Sequence, residues 1–231
     1  MLFLRKTSFL PSTLLCGALL CAALLVGCGG DDGDGGDPLY PDPPTTAAAY
    51  TNRGWARFES GDLEGAQSDF SHAIGLDANY GDAHAGLGWV RLSQATSPLD
   101  MQSAVAAFAD AVGAGESGAH VLAGRAAANL GSGPNNLAAA VADAQAARAA
   151  DPAFTFRHRT SFNLVDVRLI EAFALAGQGN LAGALTLADA IQASGITAGD
   201  AASWQVDGVV YDSYAGAVLA HLARLSAQHA G

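Results

Sequence analysis

Gly54-Trp55-Ala56-Arg57-Phe58 returns as Gly88-Trp89-Val90-Arg91-Leu92 after 34 residues, and a fixed period of that length confines the chain to a helical repeat. From about residue 47 the apolar positions follow helical spacing with abundant Ala. Gly61-Asp62, Asn79-Tyr80-Gly81 and Gly131-Ser132-Gly133-Pro134 fall where helices must end and the chain must turn. The expected unit is therefore a pair of antiparallel helices, stacked on the next pair.

The first unit places Tyr50 and Gly54 on its first helix and Ala66, Phe70 and Ala73 on its second. Small residues let two helices approach, and an aromatic fills the gap between units. The second unit supplies His84, Leu87, Gly88, Ala104, Phe108 and Ala111, with about four extra residues around Ser97-Pro98. The third supplies His120, Gly124, Ala140, Ala144 and Ala147 and ends at Asp151-Pro152. A fourth is signalled by Gly179-Asn180-Leu181-Ala182-Gly183-Ala184, which repeats Gly61-Asp62-Leu63-Glu64-Gly65-Ala66 almost letter for letter. This pattern resembles the tetratricopeptide repeat. The resemblance implies an all-α, TPR-like α-solenoid of helix-turn-helix units over about 47–80, 81–117, 118–152 and 162–194, the last with helices near 162–177 and 181–193. The chain departs from the family where Arg57, Arg91 and Ala127 replace the usual Tyr and where Ala144 replaces the aromatic.

A solenoid leaves an apolar face open at its last unit, so residues 195–231 are expected to close it. Trp204 to Tyr211 reads as two short β-prone runs about an Asp207-Gly208 turn, with a bent, unpaired loop as the alternative. Asp212 or Ser213 then caps an apolar helix running to about Ala227.

The first 27 residues have the order of an export leader: Arg5 and Lys6, then an apolar stretch to Val26, with no acidic residue before Asp31. Leu25-Val26-Gly27-Cys28 resembles the lipobox of bacterial lipoproteins, which implies lipidation of Cys28 as the first residue of the mature chain. Acyl chains at about 0.8 kcal/mol per buried methylene would hold the protein to a membrane surface. In such lipoproteins Gly29 after the Cys favours the outer membrane of a two-membrane host. Residues 28–46 then form an acidic, Gly- and Pro-rich tether with almost nothing to bury. Its Asp31, Asp32, Asp34 and Asp37 lack the Glu that closes a calcium loop. Loss of Arg5 and Lys6 with the leader takes the formal charge from −11 to −13, a balance that argues against nucleic acid as a partner. Cys28 is then the only cysteine, so no disulfide framework is available.

In tetratricopeptide proteins the first helices line a concave groove, and the residue after the small Gly faces it. The resemblance therefore puts Trp55, Trp89 and Arg125 on a peptide-binding groove, with Phe58 and Leu92 one turn further on. Aromatic and Arg anchors dominate interfaces of that kind. The alternative is that both Trp pack against neighbouring helices. Arg157-His158-Arg159, flanked by Phe154, Phe156 and Phe162, is the basic cluster of the mature domain. It either receives a partner's carboxylate or phosphate or pairs with the domain's own acids while the Phe residues seal the third unit to the fourth, and the Arg fork favours the second reading.

No metal site is expected: His84 and His120 take the repeat place of Tyr50, and His72, His221 and His229 have no partners at ligand spacing. Gly113-Ala114-Gly115-Glu116-Ser117-Gly118 has the letters of a dinucleotide fingerprint but joins two helices with no strand before it. With no nucleophile elbow or paired carboxylates, neither catalysis nor a cofactor is expected. The resulting expectation is a lipid-anchored adaptor that docks another envelope protein or a peptide segment. A small-ligand or glycan binder using the Trp-lined groove, and a repeat protein that oligomerises through that groove, are the alternatives.

Overall fold

The computed structural model describes residues 44–229. The leader, Cys28 and the tether up to residue 43 lie outside the described residues. Within them are nine α-helices: α1 (Ala47–Ser60), α2 (Leu63–Leu76), α3 (Gly81–Gln94), α4 (Pro98–Gly113), α5 (Ala119–Gly131), α6 (Leu137–Ala150), α7 (Leu164–Gly177), α8 (Leu181–Asp189) and α9 (Tyr214–His229). They pack as consecutive pairs, and the first helices α1, α3, α5 and α7 also touch one another in series.

Local chemistry fixes the ends of these helices. Gly61 closes α1 at φ +86°, a left-handed conformation that glycine adopts without strain, and Asp62 next to it caps α2 by accepting from Gly65 N–H at 2.9 Å. Gly179 (φ +83°) and Asn180 make the same turn between α7 and α8, with Asn180 accepting from Gly183 N–H at 3.0 Å. The letter-for-letter repeat in the sequence is thus one turn geometry used twice. Ser97 and Asp100 form a capping box on α4 with Pro98 at its start, and Asn163 and Asp166 form another on α7.

Two aromatic plugs join the units. Phe70 of α2 is fully buried against Gly54 of its own unit and Gly86 of the next, where an added Cβ would come within 2.8 and 2.3 Å of its ring. Phe108 of α4 sits in the same way between Gly88 and Gly124, at 2.7 and 2.4 Å. The glycines are the notches and the Phe rings the plugs, so the spacing in sequence reflects ridge-into-groove packing of each second helix against two first helices.

The third unit lacks the plug. Ala144 is buried, and beside it Asp143 accepts two hydrogen bonds from Arg125 and one from Asn129, which ties α5 to α6 by charge.

A second apolar cluster covers the far end. Leu169 and Ala172 of α7, Ala184, Leu185 and Ala188 of α8, and Ala217, Val218, Leu222 and Leu225 of α9 bury one another there, with Ile196 and Val206 from the connecting segment. The helix α9 is the cap that the solenoid needs. Before it, β1 (Gln205–Val206) and β2 (Val209–Val210) pair antiparallel in register Gln205 to Val210 and Val206 to Val209. Asp207 and Gly208 turn the chain with φ of +51° and +79°, the two positive values of a type I′ hairpin. Among the described residues no helix is long and apolar enough to cross a membrane.

Candidate functional site

The 151–163 link between α6 and α7 is the part of the chain that a simple stack of helix pairs does not require. Pro152 cannot continue α6, and Asn163 opens α7, so the residues between them leave the solenoid and return. Phe156 N–H donates to Phe162 O and Leu164 N–H to Phe154 O, each at 2.9 Å, with Thr155 bridged to Asn163. Arg159 N–H closes back on Phe156 O at 3.0 Å. The segment is a small hairpin closed on its own backbone.

Its side chains fold over the first helices of units one and two. Phe156 stacks on Trp89 with ring centroids 4.1 Å apart and planes at 16°. His158 stacks on Trp55 at 4.0 Å and 3°. Phe162 meets the other side of the cluster edge-on at 5.1 Å from Trp89, and His120 of α5 lies parallel to Phe156 at 6.2 Å. Such stacked and edge-to-face pairs contribute roughly 0.5–1.5 kcal/mol each beyond the area they bury. Polar contacts set the register: His158 Nδ1 lies 2.6 Å from Glu59 Oε1, and Arg159 donates to Ser93 Oγ at 2.8 Å with its guanidinium 5.0 Å over Phe58.

Hydrogen bonding assigns the His158 tautomer. Arg157 Nε–H donates to His158 Nε2 at 2.7 Å, so Nε2 carries the lone pair and Nδ1 the proton that Glu59 accepts. Burial lowers the His158 pKa below the usual histidine value; the Glu59 contact opposes that shift and Arg157 adds to it. Burial lowers His120 as well, against the attraction of Glu116 and Asp82. The Arg159 guanidinium is likewise pulled down by burial.

The open lining expected from the sequence takes another form here. Trp55, Phe58, Trp89 and Leu92 do lie on first helices, but they are 3, 4, 1 and 7% exposed. The physical reason is that Phe156, His158 and Phe162 cover the aromatic faces, removing from water a surface too apolar to be left wet. Arg125 does not face outward beside them, because its two hydrogen bonds to Asp143 turn it onto α6. Arg157, His158 and Arg159 engage each other and α1 and α3. Phe156 and Phe162 reach back to Trp89, and Phe156 to Trp55 as well, while Phe154 meets Phe162.

Glu59, Ser93 and Asp82 complete the site without any sequence signal. Trp55 Nε1–H donates to Asp82 Oδ1 at 3.1 Å, while the buried Trp89 Nε1–H has no acceptor. The two Arg residues in the usual Tyr place clamp helix pairs: Arg57 reaches Asp69 at 3.0 Å and Gly65 O at 3.1 Å, and Arg91 reaches Ser103 O at 3.1 Å. Arg53 adds a second, two-pronged contact to the buried Asp69. Among the described residues no three His, Cys, Asp or Glu side chains are grouped to hold a metal ion.

No protein-family model and no curated protein matches the sequence. Solved structures do. The crystal structure of YrrB, described as a TPR protein with an unusual peptide-binding site, aligns with a TM-score of 0.55 at 20% identity over 78% of this chain and 86% of its own. The thermophilic TPR protein TTC0263 of Thermus thermophilus aligns with a TM-score of 0.47 at 16% identity over 64% of this chain and 73% of its own. The helix pairing and the YrrB likeness together give the chain an all-α, tetratricopeptide-like fold.

Proposed function

We propose that this protein is a lipid-anchored tetratricopeptide adaptor of the bacterial cell envelope, holding another protein through a peptide segment on the face of α1 and α3. One observation carries the reading: that face already receives a non-helical stretch of chain, Phe154 to Phe162, by stacking on two Trp rings and pairing at its edge. A surface that accommodates one such segment has the shape and chemistry to accommodate another. YrrB, described as having a peptide-binding site, is consistent with that use of the fold.

The lipobox-like Leu25-Val26-Gly27-Cys28 supports the anchor, and the tether after it supports a domain held clear of the membrane surface. The outer membrane is the proposed location where the host has two. A glycan-binding alternative needs open indole faces, and those of Trp55 and Trp89 carry His158 and Phe156.

Fractionation of cells expressing Cys28→Ser tests the anchor: the variant should leave the membrane fraction, and continued membrane association would remove the lipobox from the argument. Crosslinking in intact cells tests the adaptor: a defined envelope protein should be captured, with capture reduced by Trp55→Ala and Trp89→Ala while the helical fold persists. Capture unchanged in both folded variants would move the binding surface elsewhere.

A further inference from the structure

Three features of residues 151–163 describe what else can occupy the face they cover. The first is mechanical. No backbone hydrogen bond among the described residues joins this segment to α1, α3 or α5; its backbone bonds run within itself, from Asp151 N–H to Ala147 O of α6, and from Leu164 and Val167 N–H of α7 to Phe154 O and Asn163 O. It is held to α1 and α3 by side chains alone, through ring stacking, His158 on Glu59 and Arg159 on Ser93. Asn163, which caps α7 together with Asp166, stays with that helix, so the part free to leave ends at Phe162. A module closed on its own backbone can leave as a unit.

The second feature is an unmade bond. Trp55 Nε1–H has Asp82, but Trp89 Nε1–H is enclosed under Phe156 with no acceptor, although Trp89 is 1% exposed. Enclosed donors are rarely left so, and this indole N–H makes no bond that holds the present occupant in place. The third feature is charge. Glu59 and Asp82 act on His158, and Glu116 and Asp82 act on His120, so the rim of the face is acidic. Basic side chains complement it; the present occupant meets Glu59 with His158, while Arg157 and Arg159 donate to His158 and Ser93.

We propose, building on the adaptor reading above, that residues 152–162 are a displaceable internal occupant of the face of α1 and α3, and that the external ligand is an extended, basic peptide segment. That segment carries an aromatic residue two positions before a His or Arg. The aromatic residue takes the place of Phe156 on Trp89, the basic one takes the place of His158 on Trp55, and a backbone carbonyl accepts from Trp89 Nε1–H. The internal segment then acts as a competitor: affinity for the ligand is reduced by the fraction of molecules in which the face is closed.

The probe is a synthetic peptide with the sequence of residues 153–163, offered to the full chain and to the double variant F156A/H158A, with binding read by fluorescence anisotropy. The double variant should retain its helical circular dichroism and bind the peptide at least about tenfold more tightly than the unaltered protein, because the competitor is weakened. In the unaltered protein, saturating peptide should speed hydrogen exchange at the amides of Phe156, Phe162 and Leu164, because so short a hairpin does not hold its bonds in water once its packing is lost. A peptide with Ala in place of its two stacking residues should bind neither form. Loss of helical signal in the double variant overturns the proposal, since a removable occupant cannot be required for the fold. So does a folded double variant with affinity within threefold of the unaltered protein, or no binding by either, or binding that leaves the three amides protected. Capture of an envelope protein through residues away from α1 and α3 would preserve the adaptor reading while ending this one.

Discussion

The first two units and the third build the same helix pair with partly different materials: units one and three share an Asp–Arg clamp, Asp69 with Arg53 and Arg57 and Asp143 with Arg125, but only the first two carry the aromatic plug. In units one and two a Phe ring enters a glycine notch on each of two first helices, and the outer face carries Trp55 and Trp89. In unit three the ring is Ala144, the Trp place is Arg125, and the pair is closed by Asp143 with Arg125 and Asn129. The aromatic solution leaves a large apolar face that has to be covered, and the covering segment comes from the link after unit three. The charged solution leaves none, because Arg125 turns onto α6. What separates a part of the solenoid whose face needs covering from one whose face does not is therefore the residue after each small Gly.

The comparison breaks most visibly at the plug. Phe108→Ala removes the ring that fills the notches at Gly88 and Gly124 and leaves a cavity between three helices. A loss of about 3–5 kcal/mol is expected in urea denaturation, in line with buried Phe truncations elsewhere. A loss under about 1 kcal/mol would mean that the notches close up without the ring, and that Phe and Ala144 are interchangeable in this architecture.

On the charged side, Asp143→Asn leaves Arg125 without its counter-ion. The pair is partly solvated, with side chains 22% and 11% exposed, so the full cost of breaking a buried pair does not apply. About 2 kcal/mol is expected, less than for the plug. The sharper form of the test is Asp69→Asn. That residue is 1% exposed, but its partners Arg53 and Arg57 are 38% and 35% exposed and return to water more readily. If Asp69→Asn costs as much as Asp143→Asn in the same denaturation series, the surrounding Arg exposure is not what governs these clamps.

The legibility of this chain follows the range of its interactions. Gly61-Asp62 and Gly179-Asn180 act over one turn, and Gly54 with Phe70 acts within one unit, so period and small residues expose the helix pairs directly. The same logic places Trp55 and Trp89 on the first helices. Their burial is not legible, because the residues that cover them lie far along the chain; the His158 to Glu59 contact spans 99 residues. No spacing rule joins an exposed Glu at the end of α1 to an imidazole after α6. The run of Phe154, Phe156 and Phe162 around two Arg does announce a segment that must bury itself somewhere. Its reach back across two units depends on where the open aromatic face lies, which is a property of the assembled stack. Arg57 and Arg91, unusual beside the glycines, are clamps between paired helices, since a long cationic stem reaches a backbone carbonyl across the pair.

The smallest expected effect concerns the cover itself. His158 is held with Nε2 unprotonated against Arg157 Nε–H, and burial lowers its pKa relative to the open, solvated segment. The segment released from the face therefore binds protons more readily than the docked one. By linkage, docking has its full strength above the ordinary histidine value near 6.5 and weakens as pH falls from there through the lowered docked value. Glu59 works against this trend, since its contact favours the charged imidazole, but burial is the larger influence and Arg157 acts with it. His221 in the cap is also lowered by burial, so acid weakens the far end of the chain too, and global melting alone would mix the two. Hydrogen exchange at the Phe156 and Phe162 amides isolates the segment. Exchange there should quicken between pH 7.5 and 5 beyond the intrinsic pH trend for free amides, and H158Q, which cannot gain the proton, should flatten the excess while α9 keeps its own response. Equal pH dependence in H158Q would place the sensitivity in His120, the other imidazole lying against Phe156, and leave the two-unit face closed by stacking alone.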